Sequence, residues 1–113
     1  MPLTNNLLTL QKGERREVTI LVLQVRADHV SDVSLIDTLI GIFKKHAGQL
    51  EKSMGYTIMV VFGKEISYKQ AENAIASALE ILQLFKELNA SSHEAPIDIS
   101  LGIATGICLV GKR

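Results

Sequence analysis

Between Gln49 and Gly63 the chain reads Gln-Leu-Glu-Lys-Ser-Met-Gly-Tyr-Thr-Ile-Met-Val-Val-Phe-Gly, two strand-like runs joined at Met54-Gly55-Tyr56. The second run, Thr57 to Phe62, is β-branched and apolar, and Gly55 supplies a backbone free to take positive φ at the turn. This is a hairpin, and a lone hairpin is not stable in water, so other elements must be organised around it. The run Val18-Thr19-Ile20-Leu21-Val22-Leu23, within Arg15 to Val25, is almost continuously apolar, as expected of a central strand covered on both faces.

The remaining chain supplies the covering layer. Residues 1–13 read as a polar linker with scattered leucines (Leu3, Leu7, Leu8, Leu10), and residues 14–113 as a single domain. Ser31 and Asp32 are N-caps for a helix to about Ala47, with Val33, Ile36, Ile40, Phe43 and Ala47 on one face. Lys44, Lys45 and His46 suit its negative end, and Gly48 the left-handed stop. Ser67 and Gln70 form a capping box for a second helix to about Asn89, with the stripe Ala71, Ala74, Ile75, Ala78, Leu82, Phe85 and Leu88. After a polar loop, Ile97, Ile99, Leu101 and Ile103 alternate with Asp98, Ser100 and Gly102 as a half-buried strand. Gly106 is expected to turn the chain into a last strand, Ile107 to Val110. The order predicts an α+β, ferredoxin-like βαββαβ domain: an antiparallel sheet, both helices on one face, and one extra C-terminal strand.

Charge and cysteine usage narrow the function classes. Twelve Lys and Arg balance 12 Asp and Glu, and the basic residues are interleaved with acids (Glu14-Arg15-Arg16-Glu17), so no stripe forms that could track nucleic-acid phosphates. The single cysteine, Cys108, excludes an internal disulfide and is expected to pack as a small hydrophobe in a reducing, cytoplasmic setting. No apolar run approaches the ~18 residues of a membrane span, and no basic segment precedes the first leucines as in a signal peptide. His29, His46 and His93 lie apart without metal-ligand spacing and read as surface residues. Asp28 and Asp32 flank one loop, and capping accounts for Asp32.

The hairpin resembles the central hairpin of class III nucleotidyl (adenylate and guanylate) cyclases, whose common pattern is Gly-Thr-Leu-Asp-Lys-Phe-Ile-Gly-Asp-Ala-Ile-Met-Ala-Val-Phe-Gly. Gly13-Glu14-Arg15-Arg16-Glu17-Val18-Thr19-Ile20-Leu21 is similar to the opening of many bacterial cyclase domains, and Leu101 to Gly111 resembles Gly-Ile-Gly-Ile-Asn-Thr-Gly-Glu-Val-Val-Val-Gly. The resemblance covers nearly all of this chain and about the first two thirds of a cyclase domain; the family's transition-state Asn and Arg correspond to positions beyond Gly111. It implies a site of two carboxylates holding Mg²⁺ or Mn²⁺, which bridge the triphosphate and activate the attacking hydroxyl. Gln24 and Tyr56 stand at those two positions, and the glycine-containing phosphate loop has no counterpart after Val25. No cofactor is therefore expected.

Lys52 stands where the family's lysine selects the purine. Alternation places it on a strand face with Leu50 and Met54, where an edge-strand lysine that blocks unwanted pairing is the favoured reading. Tyr56 either fills the vacated metal pocket or stacks on a nucleotide. The resemblance thus implies an inactive cyclase-homology domain that serves as a dimerisation or regulatory module. The alternatives are a metal-free half, completed by a partner and converting ATP or GTP, and a small-molecule regulatory domain. Family domains work as head-to-tail dimers, so a homodimer or a heterodimer with a cyclase-like chain is expected, through Ile107, Leu109 and Val110 on the terminal strand.

Overall fold

The computed structural model describes residues 13–26, 33–64, 69–91 and 96–111. Six elements follow one another: β1 (Gly13–Arg26), α1 (Val33–Lys45), β2 (Gly48–Met54), β3 (Thr57–Phe62), α2 (Gln70–Ser91) and β4 (Asp98–Gly111). The strands form one sheet in the order β2-β3-β1-β4, and each neighbouring pair is antiparallel. This is the predicted α+β arrangement. The linker over residues 1–12, Asp28, His29, the caps Ser31 and Asp32, Ser67, His93 and the side chains of Leu109 and Val110 lie outside the described residues.

Both helices pack on one face of the sheet. Leu21, Leu23 and Val25 of β1 and Ile58, Val60 and Phe62 of β3 alternate toward that face, where they meet Leu39, Ile42 and Phe43 of α1 and Ala74, Ala78, Ile81 and Phe85 of α2. Phe43 and Phe62 meet edge to face, with ring centroids 6.5 Å apart. Small residues at 74, 77 and 78 let α2 approach β1 closely, and Ser77, fully buried, satisfies its hydroxyl by donating to the Asn73 carbonyl at 3.0 Å. Thr19, also buried, shares a hydroxyl hydrogen bond of 2.8 Å with Thr105 across the β1–β4 pair.

Five expectations are corrected. First, β1 begins at Gly13 and is covered by helices on one face only. On the other face Val22 is 37% exposed and Gln24 is open to solvent. Second, β4 is unbroken from Asp98 to Gly111, so no separate extra strand exists among the described residues. Gly106 stays in register opposite Val18, because β1 is itself 14 residues long and offers a partner at every position. Third, the left-handed residue after α1 is Ala47, with φ 66°, and Gly48 instead opens β2 under the Phe62 ring. Fourth, α2 buries Ala74, Ser77, Ala78, Ile81 and Phe85 but leaves Ile75 and Leu82 about half exposed. Its sequence carries two apolar stripes, and the sheet takes only one. Fifth, Cys108 is an exposed free thiol, since the outer part of β4 has no helix above it.

Candidate functional site

The two positions that the cyclase resemblance assigns to metal ligands come together at one end of the β1–β3 pair. Gln24 lies opposite Thr57 in the ladder, and the next amide, Val25 N–H, donates to the Tyr56 carbonyl at 3.0 Å. Gly55, at φ 61°, turns the chain tightly enough to place Tyr56 directly beside the strand end. The sequence thus brings both positions to one place, but with an amide and a phenol there. Among the described residues no group of three or more His, Cys, Asp or Glu is disposed to hold a metal ion. Tyr56 is 41% exposed, so its ring does not plug a pocket.

Lys52 is exposed on β2, an outer strand of the sheet. Its placement differs from simple alternation. The register slips between Leu50 and Lys52, so Leu50 opposes Val60 whereas Lys52 opposes Met59 and Met54 opposes Thr57. This bulge separates Lys52 from Leu50 and puts it on the open, helix-free face together with Val22 and Gln24.

Three further polar residues share that end of the open face and were not singled out in the sequence. Arg26 lies opposite Asp98 and donates from Nη1 to the Ser100 hydroxyl at 2.6 Å, while Ser100 faces Gln24. The signal was present as period-two alternation, Gln24 and Arg26 on β1 against Asp98 and Ser100 on β4, but only the strand pairing reveals that the two sets meet. Arg26 and Lys52 contribute two positive charges at this face against the one carboxylate of Asp98 on β4.

The other charged cluster ties the helices together. Glu80 of α2 accepts from Lys45 Nζ at 2.6 Å and pairs with His46 Nε2 at 2.9 Å at the end of α1. These hydrogen bonds, Lys45 first and His46 second, hold the Glu80 carboxyl below its ordinary value. His46 is therefore a half-buried helix clamp rather than a loose surface residue.

An open antiparallel sheet in this order, two helices on one face, and a β2–β3 hairpin whose turn abuts the end of β1 make a ferredoxin-like α+β fold, and its structural neighbours are class III adenylyl and guanylyl cyclase catalytic domains, so this chain is a cyclase-like domain. It is similar to the guanylyl cyclase Cya2 at 25% identity and TM-score 0.70, over 88% of this chain and 59% of that one. It is similar to the adenylyl cyclase CyaB from P. aeruginosa at 24% identity and TM-score 0.67, over 88% and 60%. The monomeric guanylyl cyclase domain of the RhoGC fusion protein from the aquatic fungus Blastocladiella emersonii shares the fold at 19% identity and TM-score 0.69, over 88% and 71%. The chain thus spans about three fifths of the length of the first two. No family model and no curated protein matches it. No helix among the described residues is long and apolar enough to cross a membrane.

Proposed function

We propose that this cyclase-like domain is catalytically inactive and serves as a dimerisation or regulatory module, associating with a second copy or with a cyclase-like chain. The observation that carries the reading is that Gln24, opposite Thr57, and Tyr56, whose carbonyl accepts from Val25 N–H, stand at the same end of the β1–β3 pair. Two-metal phosphoryl chemistry draws several kcal/mol from each ion, and every 1.36 kcal/mol lost lowers the rate about tenfold. An amide and a phenol do not supply the two carboxylates that would hold those ions. Association is supported by β4, an outer strand, whose far edge has no strand partner among the described residues and whose Ile107 is 60% exposed. Ile107, Leu109 and Val110 form the proposed contact.

One observation favours a second reading, a metal-free half that completes a partner's site. The bulge leaves Lys52 exposed on the open face, where a nucleotide held mainly by another chain could reach it. Cyclic-nucleotide formation from ATP or GTP with Mn²⁺, measured for the chain alone and mixed with an intact cyclase chain, separates the readings. No product is expected in either case beyond that of the intact chain, and product from this chain alone overturns the proposal. Extra product in the mixture that Lys52→Ala removes would establish the second reading instead.

A further inference from the structure

The second apolar stripe of α2 lies on the flank away from α1. Ile75, Leu79 and Leu82 are 51%, 62% and 48% exposed, although they occupy the middle of a 22-residue helix. At about 100° per residue, they lie roughly 100° around the helix from the line of Ala74, Ala78, Ile81 and Phe85 that enters the core. The Glu80 contact to Lys45 and His46 marks the opposite flank as the α1 side. The stripe continues in both directions with charge: Glu72, Ile75, Leu79, Leu82 and Lys86 follow one another at steps of three and four, the spacing of a seam between packed helices. Glu72 and Lys86 are exposed, and neither takes part in an ion pair among the described residues.

We infer that this seam docks against the same seam of a second copy of the chain, with the two α2 helices antiparallel. Leu79 is the centre of the pattern, because Glu72 precedes it by seven positions and Lys86 follows it by seven. A two-fold axis through Leu79 therefore sets Glu72 of each copy opposite Lys86 of the other. It packs the two Leu79 side chains together and brings Ile75 beside the other copy's Leu82. A parallel arrangement places Glu72 on Glu72 and Lys86 on Lys86, so the charges select the antiparallel one. The contact is the same patch on both copies and closes as a dimer rather than propagating. It stands on α2 alone and does not depend on the absence of a metal site.

Sedimentation equilibrium on three variants tests it. Glu72→Lys and Lys86→Glu each place like charges opposite one another twice per dimer and are expected to weaken self-association by about tenfold. An equimolar mixture of the two restores opposite charges at both pairs and is expected to associate as tightly as the unmodified chain. Leu79→Ser removes the central contact and is expected to weaken self-association more than either charge reversal. All three positions are exposed, so unchanged circular dichroism and melting distinguish lost docking from lost fold. An unmodified chain that stays monomeric at high micromolar concentration, or a mixture no tighter than its components, overturns the inference. A dimer indifferent to all three substitutions but lost in Leu109→Lys also overturns it, and assigns association to the β4 edge of the proposed function alone.

Discussion

At the junction of α1 and β2, two adjacent residues predict opposite responses to substitution. Ala47 holds φ at 66°, a left-handed conformation costly for a residue with a Cβ, so Ala47→Gly is expected to raise stability by about 0.5–1 kcal/mol, net of the extra freedom of the unfolded chain. Gly48 tolerates no Cβ: one built there meets Phe62 Cε2 at 2.7 Å and Val60 Cγ1 at 2.8 Å, both fixed in the core. Gly48→Ala is expected to cost about 1–3 kcal/mol by overpacking. Urea titration of both variants checks the pair, and equal small effects would contradict the geometry. The sequence showed a glycine after a helix but not which residue would take the turn, because that depends on the Phe62 ring 14 positions later. Glu80 adds a pH-dependent contribution. Its folded pKa is depressed by Lys45 and His46, so its stabilisation is complete above the unfolded value and is lost as pH falls through the folded one. Thermal melting of the protein and of Glu80→Gln should differ near neutral pH and converge on acidification.

Among the elements, the strands and helices themselves were legible because their periods are strong: the alternation over Ile97 to Ile103 and the apolar run from Val18 set β4 and β1 in sequence alone. What pattern alone left open was which of two stripes α2 would bury, since Ile75 and Leu82 fit a core face as well as Ile81 does until the sheet selects the line with the smallest residues. The continuity of β4 was hidden for a similar reason. Gly106 reads locally as a turn, and only pairing with the equally long β1 holds it extended. A Cβ at Gly106 meets nothing within 4 Å. Gly106→Val is therefore expected to keep or raise the melting temperature, by up to about 1 kcal/mol in stability, as β-branched residues do in strands. A marked loss would mean that a turn, not a strand, occupies this position.

In the whole molecule, the cyclase-like fold follows from one sheet order, and the candidate site follows from one contact within it, Val25 to Tyr56. The nearness of Gln24 and Tyr56 was legible through resemblance to the cyclase hairpin. The meeting of Arg26 with Asp98 and Ser100 and the placement of Lys52 on the same face were not, because the first depends on β4 pairing and the second on a bulge. Together these features describe a cyclase-like fold with an amide and a phenol, Gln24 and Tyr56, at one end of the sheet, and the proposal is that this end holds no divalent ion. Calorimetric titration with Mn²⁺ of the protein and of the double variant Gln24→Asp, Tyr56→Asp tests this claim most directly. The account predicts no saturable binding to the protein and the appearance of binding in the variant, where carboxylates replace the amide and the phenol at that end of the sheet. Saturable, stoichiometric binding of Mn²⁺ to the unmodified protein would contradict it.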